Sequence, residues 1–271
     1  MKGNLRKMVS ENTSPVTYRL PVGDQLVALN DFLEKNITLN FTGTINCIAC
    51  GRKINKSFQQ GYCFPCMRSL AECDSCIVKP ELCHFAEGTC RDEEWALSHC
   101  MQDHFVYLAN TSGIKVGITR HTQIPTRWID QGATQALPIF KVTSRLTSGL
   151  LEVTIKNHVA DKTDWRKMLK GNAEPLDLAA KRDELLRECE PEINDLKASL
   201  PDNAIEYLPN ADTTSVNYPV LEFPTKVSSL NFDKTAGISG VLQGIKGQYL
   251  ILDTGVLNIR KFGGYEIEID A

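Results

Sequence analysis

The chain has 271 residues and a formal net charge of −3, a length that holds two or three compact units. The acidic balance excludes a protein that coats nucleic acid by gross positive charge and leaves only a confined basic face for such a role. No apolar run approaches the roughly 18 to 20 residues of a bilayer span, and MKGNLRKMVS has no apolar stretch behind its basic residues, so the expectation is a cytoplasmic protein without a membrane partner.

Residues 1–45 read as β-rich. VTYRLPVG alternates, ITLNFTGTI enters a Gly turn, and VALNDFLE serves as a short connector. Residues 46–104 are cysteine pairs, Gly, Pro and charged residues with too few aliphatics for a core, so something other than burial must hold them. Nine of the ten cysteines lie between Cys47 and Cys100 with repeated two-residue gaps, which favours metal over disulfide.

Cys47-Ile-Ala-Cys50 is followed after twelve residues by Cys63-Phe-Pro-Cys66. Two such chelating knuckles supply the four thiolates of a tetrahedral zinc, with Gly51 and Gly61 suited to the tight turns. Cys73-Asp-Ser-Cys76 begins a second set, for which Cys83 and Cys90 are the favoured completion and His84, Cys100 and His104 the alternatives. Thiolate-rich sets of this kind leave no open position, so both zinc ions are expected to be structural.

From 105 to 172, strand-like FVYLA, IKVGI and ALPIFKVT mix with helical PTRWIDQGA and SGLLEVTIKNHVADKTDWRKMLKG. Residues 173–215 include PLDLAAKRDELLRECEPEINDLKASL, whose apolar spacing predicts an amphipathic helical linker broken near Pro191. Residues 216–271 return to short strands between Gly turns, a small barrel or sandwich open to pairing with residues 1–45. The fold class is α+β.

The stretch from Val106 to Asp164 resembles the GIY-YIG nuclease superfamily. Val106-Tyr107-Leu108 would stand for its first element and Lys115-Val116-Gly117 for the second, while Arg127 and Glu152 fall where that family has its Arg and its metal-binding Glu. Asp164 falls near the family's polar residue. The six-residue gap resembles the branch whose second element reads Lys-Ile-Gly followed by Thr; Lys115 stands where much of the superfamily has a second Tyr. The resemblance implies a mixed α/β core with Tyr107, Lys115, Arg127 and Glu152 as catalytic residues and Mg²⁺ or Mn²⁺ at Glu152. The paired knuckles, TCRD, KVGITR and TRWIDQGA also resemble a bacterial family described only as a domain of unknown function.

The chemistry is coherent residue by residue. A guanidinium holds phosphate bidentately where Lys cannot, and a carboxylate suits a hard divalent ion. Lys115, Arg120, Arg127, Arg145 and Lys156 make this segment locally basic. The expected function is a zinc-containing nucleic-acid-binding protein. It either cleaves phosphodiesters as a metal-dependent endonuclease or serves as a non-catalytic RNA/DNA-binding or ribosome-associated adaptor; a zinc-stabilised protein-interaction scaffold is the third reading.

Overall fold

The computed structural model describes residues 1–159 and 162–270. The amino-terminal part contains β1 (Lys2–Asn4), β2 (Val9–Glu11), β3 (Thr17–Val22), β4 (Gln25–Ala28), β5 (Asn36–Asn46) and β6 (Lys53–Ile54). The alternation in VTYRLPVG sends every second side chain of β3 into the interior, and β2, β3 and β4 form an antiparallel sheet of their own.

The cysteine-rich segment holds α1 (Phe64–Ser69), α2 (Glu93–His99) and single 3₁₀ turns. Apart from cysteines, Ala71, Pro80 and Ala96 are its buried apolar side chains between 47 and 100. Three such small side chains bury too little apolar surface to hold fifty residues in place.

The central unit runs through β7 (His104–Asn110), β8 (Ile114–Arg120), α3 (Thr126–Asp130), β9 (Gln135–Val142), α4 (Arg145–Ile155), α5 (Trp165–Met168), α6 (Leu178–Glu188), α7 (Glu190–Ala198), β10 (Ile205–Tyr207) and β11 (Thr214–Ser215). Its antiparallel sheet has the order β10-β9-β7-β8, with β11 also on β9 and β8 at one edge. Of the helical stretch expected over 148–171, Ala160 and Asp161 lie outside the described residues; α4 ends at Ile155 and α5 starts at Trp165.

Residues 173–215 are not a linker. Leu178, Leu185, Cys189 and Ile193 of the two amphipathic helices are buried against Val106, Leu108, Leu151 and Ile155, and β10 and β11 extend the same sheet. The apolar stripe needs a partner, and the uncovered face of the sheet supplies one.

The chain closes with β12 (Gly237–Lys246), β13 (Tyr249–Leu252), β14 (Gly255–Asn258) and β15 (Tyr265–Asp270). No sheet among the described residues closes into a barrel. The eleven-residue β5 lies between β15 and β12 in the order β1-β15-β5-β12-β13-β14, with β6 also on β5. Leu39 of β5 faces Ile238 on one side and Ile269 on the other, so the two ends of the chain share one sheet. Tyr18 and Leu20 of the three-stranded sheet complete its core with Ile37, Leu39, Ile245 and Ile267.

Candidate zinc centre and cationic cleft

β5 delivers Cys47 into a tight turn in which Gly51, at φ 73°, donates its N–H to the Cys47 carbonyl at 2.9 Å. Cys63 caps α1 through its sulfur, which accepts from the N–H of Cys66 at 3.4 Å, and its own N–H donates to Cys47 Sγ at 3.1 Å. The four sulfurs of Cys47, Cys50, Cys63 and Cys66 all lie within 4.8 Å of one another, with Cys50 and Cys63 at 3.8 Å. Zinc–sulfur bonds of ~2.3 Å define a tetrahedron with edges of about 3.8 Å, so the set suits zinc. Burial pushes the Cys47 thiol up, but the N–H groups of Cys50, Cys63 and Ala49 outweigh it and bring the thiol down to about 6. A thiolate, the form a metal needs, is therefore accessible at Cys47 near neutral pH, whereas the neighbouring Cys63 sulfur and burial push the Cys66 thiol up to about 12.

This knuckle borders a cleft of about 780 Å³ whose lining includes Arg6, Lys7, Arg120, Arg127, Arg145 and Arg260 against the acidic Glu72, Asp130 and Glu152. The Asp130 carboxylate already holds Lys7 at 3.0 Å and Gln248 at 2.8 Å. Two of the arginines are tied to the knuckle loop: Arg6 donates to the Ile48 carbonyl at 2.9 Å and Arg260 Nε to Gln60 Oε1 at 2.7 Å. Burial lowers the pKa of Arg260, and neighbouring Arg127 lowers it further. Burial also lowers that of Arg145, with Cys100 and Cys76 opposing and Arg120 and Arg127 adding to the drop. Arg145 donates from Nη2 to the Ile77 carbonyl at 2.6 Å, while its buried Nε meets no acceptor among the described residues. The guanidinium groups thus disfavour one another's charge, and one buried donor has no acceptor among the described residues.

Of the four residues singled out by the nuclease resemblance, Arg127 and Glu152 stand on this cleft. Tyr107 and Lys115 do not. Tyr107 is fully buried beneath it, edge-on to Trp128, with its hydroxyl donating to Gln131 Oε1 at 3.3 Å. Burial raises its pKa despite nearby Arg127, which removes it as a base near neutrality. Lys115 is buried opposite Ala109 in the β7–β8 pair and is absent from the cleft lining. Asp164 caps α5, accepting from the N–H groups of Arg166 and Lys167.

The second expected zinc set is divided by the fold. Cys76, Cys83 and Cys90 line one small cavity, but Cys73 does not, and Cys100 does. The Cys73 carbonyl instead accepts from Gln59 of the knuckle loop at 3.1 Å. His104 opens β7, its Nδ1 2.7 Å from the Gln102 carbonyl.

Sequence reasoning missed Arg6, Lys7 and Arg260. Nothing in their local sequence marks them, because they reach the cleft only through the pairing of the chain's two ends.

Fold and site define a mixed α/β protein of several sheets, with a four-cysteine cluster suited to zinc beside an arginine-lined cleft. Residues 34–267 match the family described as "Protein of unknown function (DUF2797)", and the chain belongs to that family. No curated protein and no solved structure matches it.

Proposed function

We propose that the cleft binds the phosphodiester backbone of nucleic acid, with Arg120, Arg127, Arg145, Arg6 and Arg260 as phosphate ligands and a zinc on Cys47, Cys50, Cys63 and Cys66 holding the knuckle that positions the last two. One observation carries this reading: five arginines from separate parts of an acidic chain face one cleft, and one of them, Arg145, has a buried N–H without an acceptor among the described residues. Backbone phosphates satisfy such groups through charge-assisted, often bidentate bonds.

A GIY-YIG-like hydrolysis is the finer form of this reading. Glu152 is the residue that would hold Mg²⁺ or Mn²⁺, which takes one or two carboxylates and fills its remaining positions with water and phosphate oxygens. Such an ion would stabilise charge on the phosphoryl oxygens. Arg127 would bind and orient the phosphate. The burial of Tyr107 and Lys115 leaves neither of them to activate water, which favours binding without cleavage, an adaptor role.

The test is fluorescence anisotropy on labelled single- and double-stranded DNA and RNA at several salt concentrations. Wild type should bind with affinity falling steeply as salt rises. Arg127→Ala and Arg145→Ala should weaken binding to all sequences and each reduce the salt slope by about 1. Absence of salt-sensitive binding, or variants indistinguishable from wild type, would sink the proposal. Metal-dependent cleavage that Glu152→Ala abolishes would decide for the nuclease form.

A further inference from the structure

A small cavity in the cysteine-rich segment, walled in part by Trp95 and Ala96 of α2, gathers Cys76, Cys83, Cys90 and Cys100, with Asp74 and His84 also on its lining. We propose that this is a second zinc site, that its ligands are the thiolates of Cys76, Cys83, Cys90 and Cys100, and that Cys73 is not among them.

The four cysteines come from separate short elements. Cys76 lies in the 3₁₀ turn Ser75–Ile77, Cys83 follows the turn Pro80–Leu82, Cys90 precedes α2, and Cys100 ends that helix. These turns bury almost no hydrophobic side chains apart from the cysteines themselves, so burial alone does not account for their convergence. The space is about 10 Å³, room for a single small ion or water and for no organic ligand. On loading, each thiol loses its proton to solvent and its sulfur bonds the ion, leaving a site of formal charge −2.

The competing ligand set is Asp74, Cys76 and His84, whose ligand atoms lie within 4.8 Å of one another, a spacing the four sulfurs reach only by drawing in around the ion. Its two oxygen and nitrogen members are already engaged. Asp74 Oδ1 accepts from the N–H and hydroxyl of Ser75 at 2.5 and 3.2 Å, and Oδ2 accepts from Arg91 Nε at 2.7 Å. His84 has Nδ1 2.7 Å from Thr89 Oγ1 and Nε2 3.5 Å from the Asp74 carboxylate. A carboxylate fastened to a guanidinium is a poor ligand but a good support, and an imidazole held through Nδ1 with Nε2 turned to that carboxylate is placed as a support as well. By contrast, among the described residues the thiols of the four make one weak hydrogen bond, from Cys90 Sγ to the Asp92 carbonyl at 3.4 Å.

The surroundings also answer the charge of a four-thiolate site. The Arg145 backbone N–H donates to the Cys100 carbonyl at 2.8 Å, and its guanidinium donates to Ile77, the residue after Cys76. A cation therefore flanks the two ligands that face α4, as a net-negative metal site requires of its surroundings. The assignment stands whether or not the cleft binds nucleic acid.

Metal analysis of the purified full chain tests it. Wild type should carry two zincs, and X-ray absorption at the zinc edge should show a sulfur-only shell near ~2.3 Å. Cys73→Ser and His84→Ala should keep two zincs, whereas Cys100→Ser should fall to one. A single zinc in wild type, nitrogen or oxygen in the shell, or loss of a zinc in Cys73→Ser would each overturn the assignment. Should Cys100→Ser not fold, the wild-type shell and the Cys73→Ser count decide the matter.

Discussion

Gly117 lies directly against the ring of Tyr107: a methyl group at Gly117 would stand 2.8 Å from both Cζ and the hydroxyl oxygen. The two residues face each other across the β7–β8 pair, and the missing side chain makes the room that Tyr107 occupies. Gly117→Ala should therefore destabilise the protein by ~1–3 kcal/mol through overpacking, as read by urea unfolding. Tyr107→Phe removes the hydroxyl's 3.3 Å hydrogen bond to Gln131 and its contact with the Arg127 side chain, costs about 1 kcal/mol, and should leave nucleic-acid affinity nearly unchanged because the Arg127 charge stays in place. A large loss of binding in Tyr107→Phe would return its hydroxyl to the site chemistry.

Arg6 and Arg260 hang on the loop that the first cysteine cluster shapes, so metal and cleft should fail together. Cys47→Ser should lose one zinc, several kcal/mol of stability and most of the nucleic-acid affinity. The comparison is Arg6→Ala, which should weaken binding while keeping the zinc and the melting temperature. Full affinity in zinc-free Cys47→Ser would separate the two sites.

His104 sits neutral in the core. Burial lowers its pKa from about 6.5 to about 4, against its bond to the Gln102 carbonyl and assisted by Arg145 and Arg120. Below its unfolded value the unfolded chain binds a proton that the folded chain refuses, so stability falls as pH drops from about 6.5 to about 4. The wild type should lose about 3 kcal/mol more across that window than His104→Leu, by denaturant titration at both ends. Parallel profiles would show that another group governs the acid limb.

Lys246 is fully buried, donates to the Gly171 carbonyl and Asn172 Oδ1, and packs on Tyr218 and Phe223. Burial lowers its pKa to about 8. Between that value and its ordinary 10.5 the unfolded chain binds more protons, so stability should rise with pH there. Relative to Lys246→Met, the wild type should gain about 3 kcal/mol from pH 8 to 10.5. An equal slope in both proteins would contradict the depressed value.

The cysteine spacing by itself picks out the four-cysteine cluster suited to zinc, because a chelating pair closes over two intervening residues and needs no distant contact. Alternation along VTYRLPVG and the hairpin FVYLANTSGIKVGITR were legible for the same reason: local period and turn chemistry act over a few residues. Arg127 and Glu152, 25 positions apart, could be linked only through a resemblance, and the structure brings both to one cleft. What local sequence could not decide was which partner each apolar stripe would choose. The helices around Leu185 and Ile193 took the sheet of the central unit, and β5 took strands from the carboxyl end. Tyr107 and Lys115 were turned into the interior, and Cys100, one of the alternatives open in the sequence, lines the cavity of Cys76, Cys83 and Cys90. Arg6 and Arg260 met because β1 pairs with β15. Those outcomes rest on burial between segments far apart in the chain, a quantity no local pattern contains.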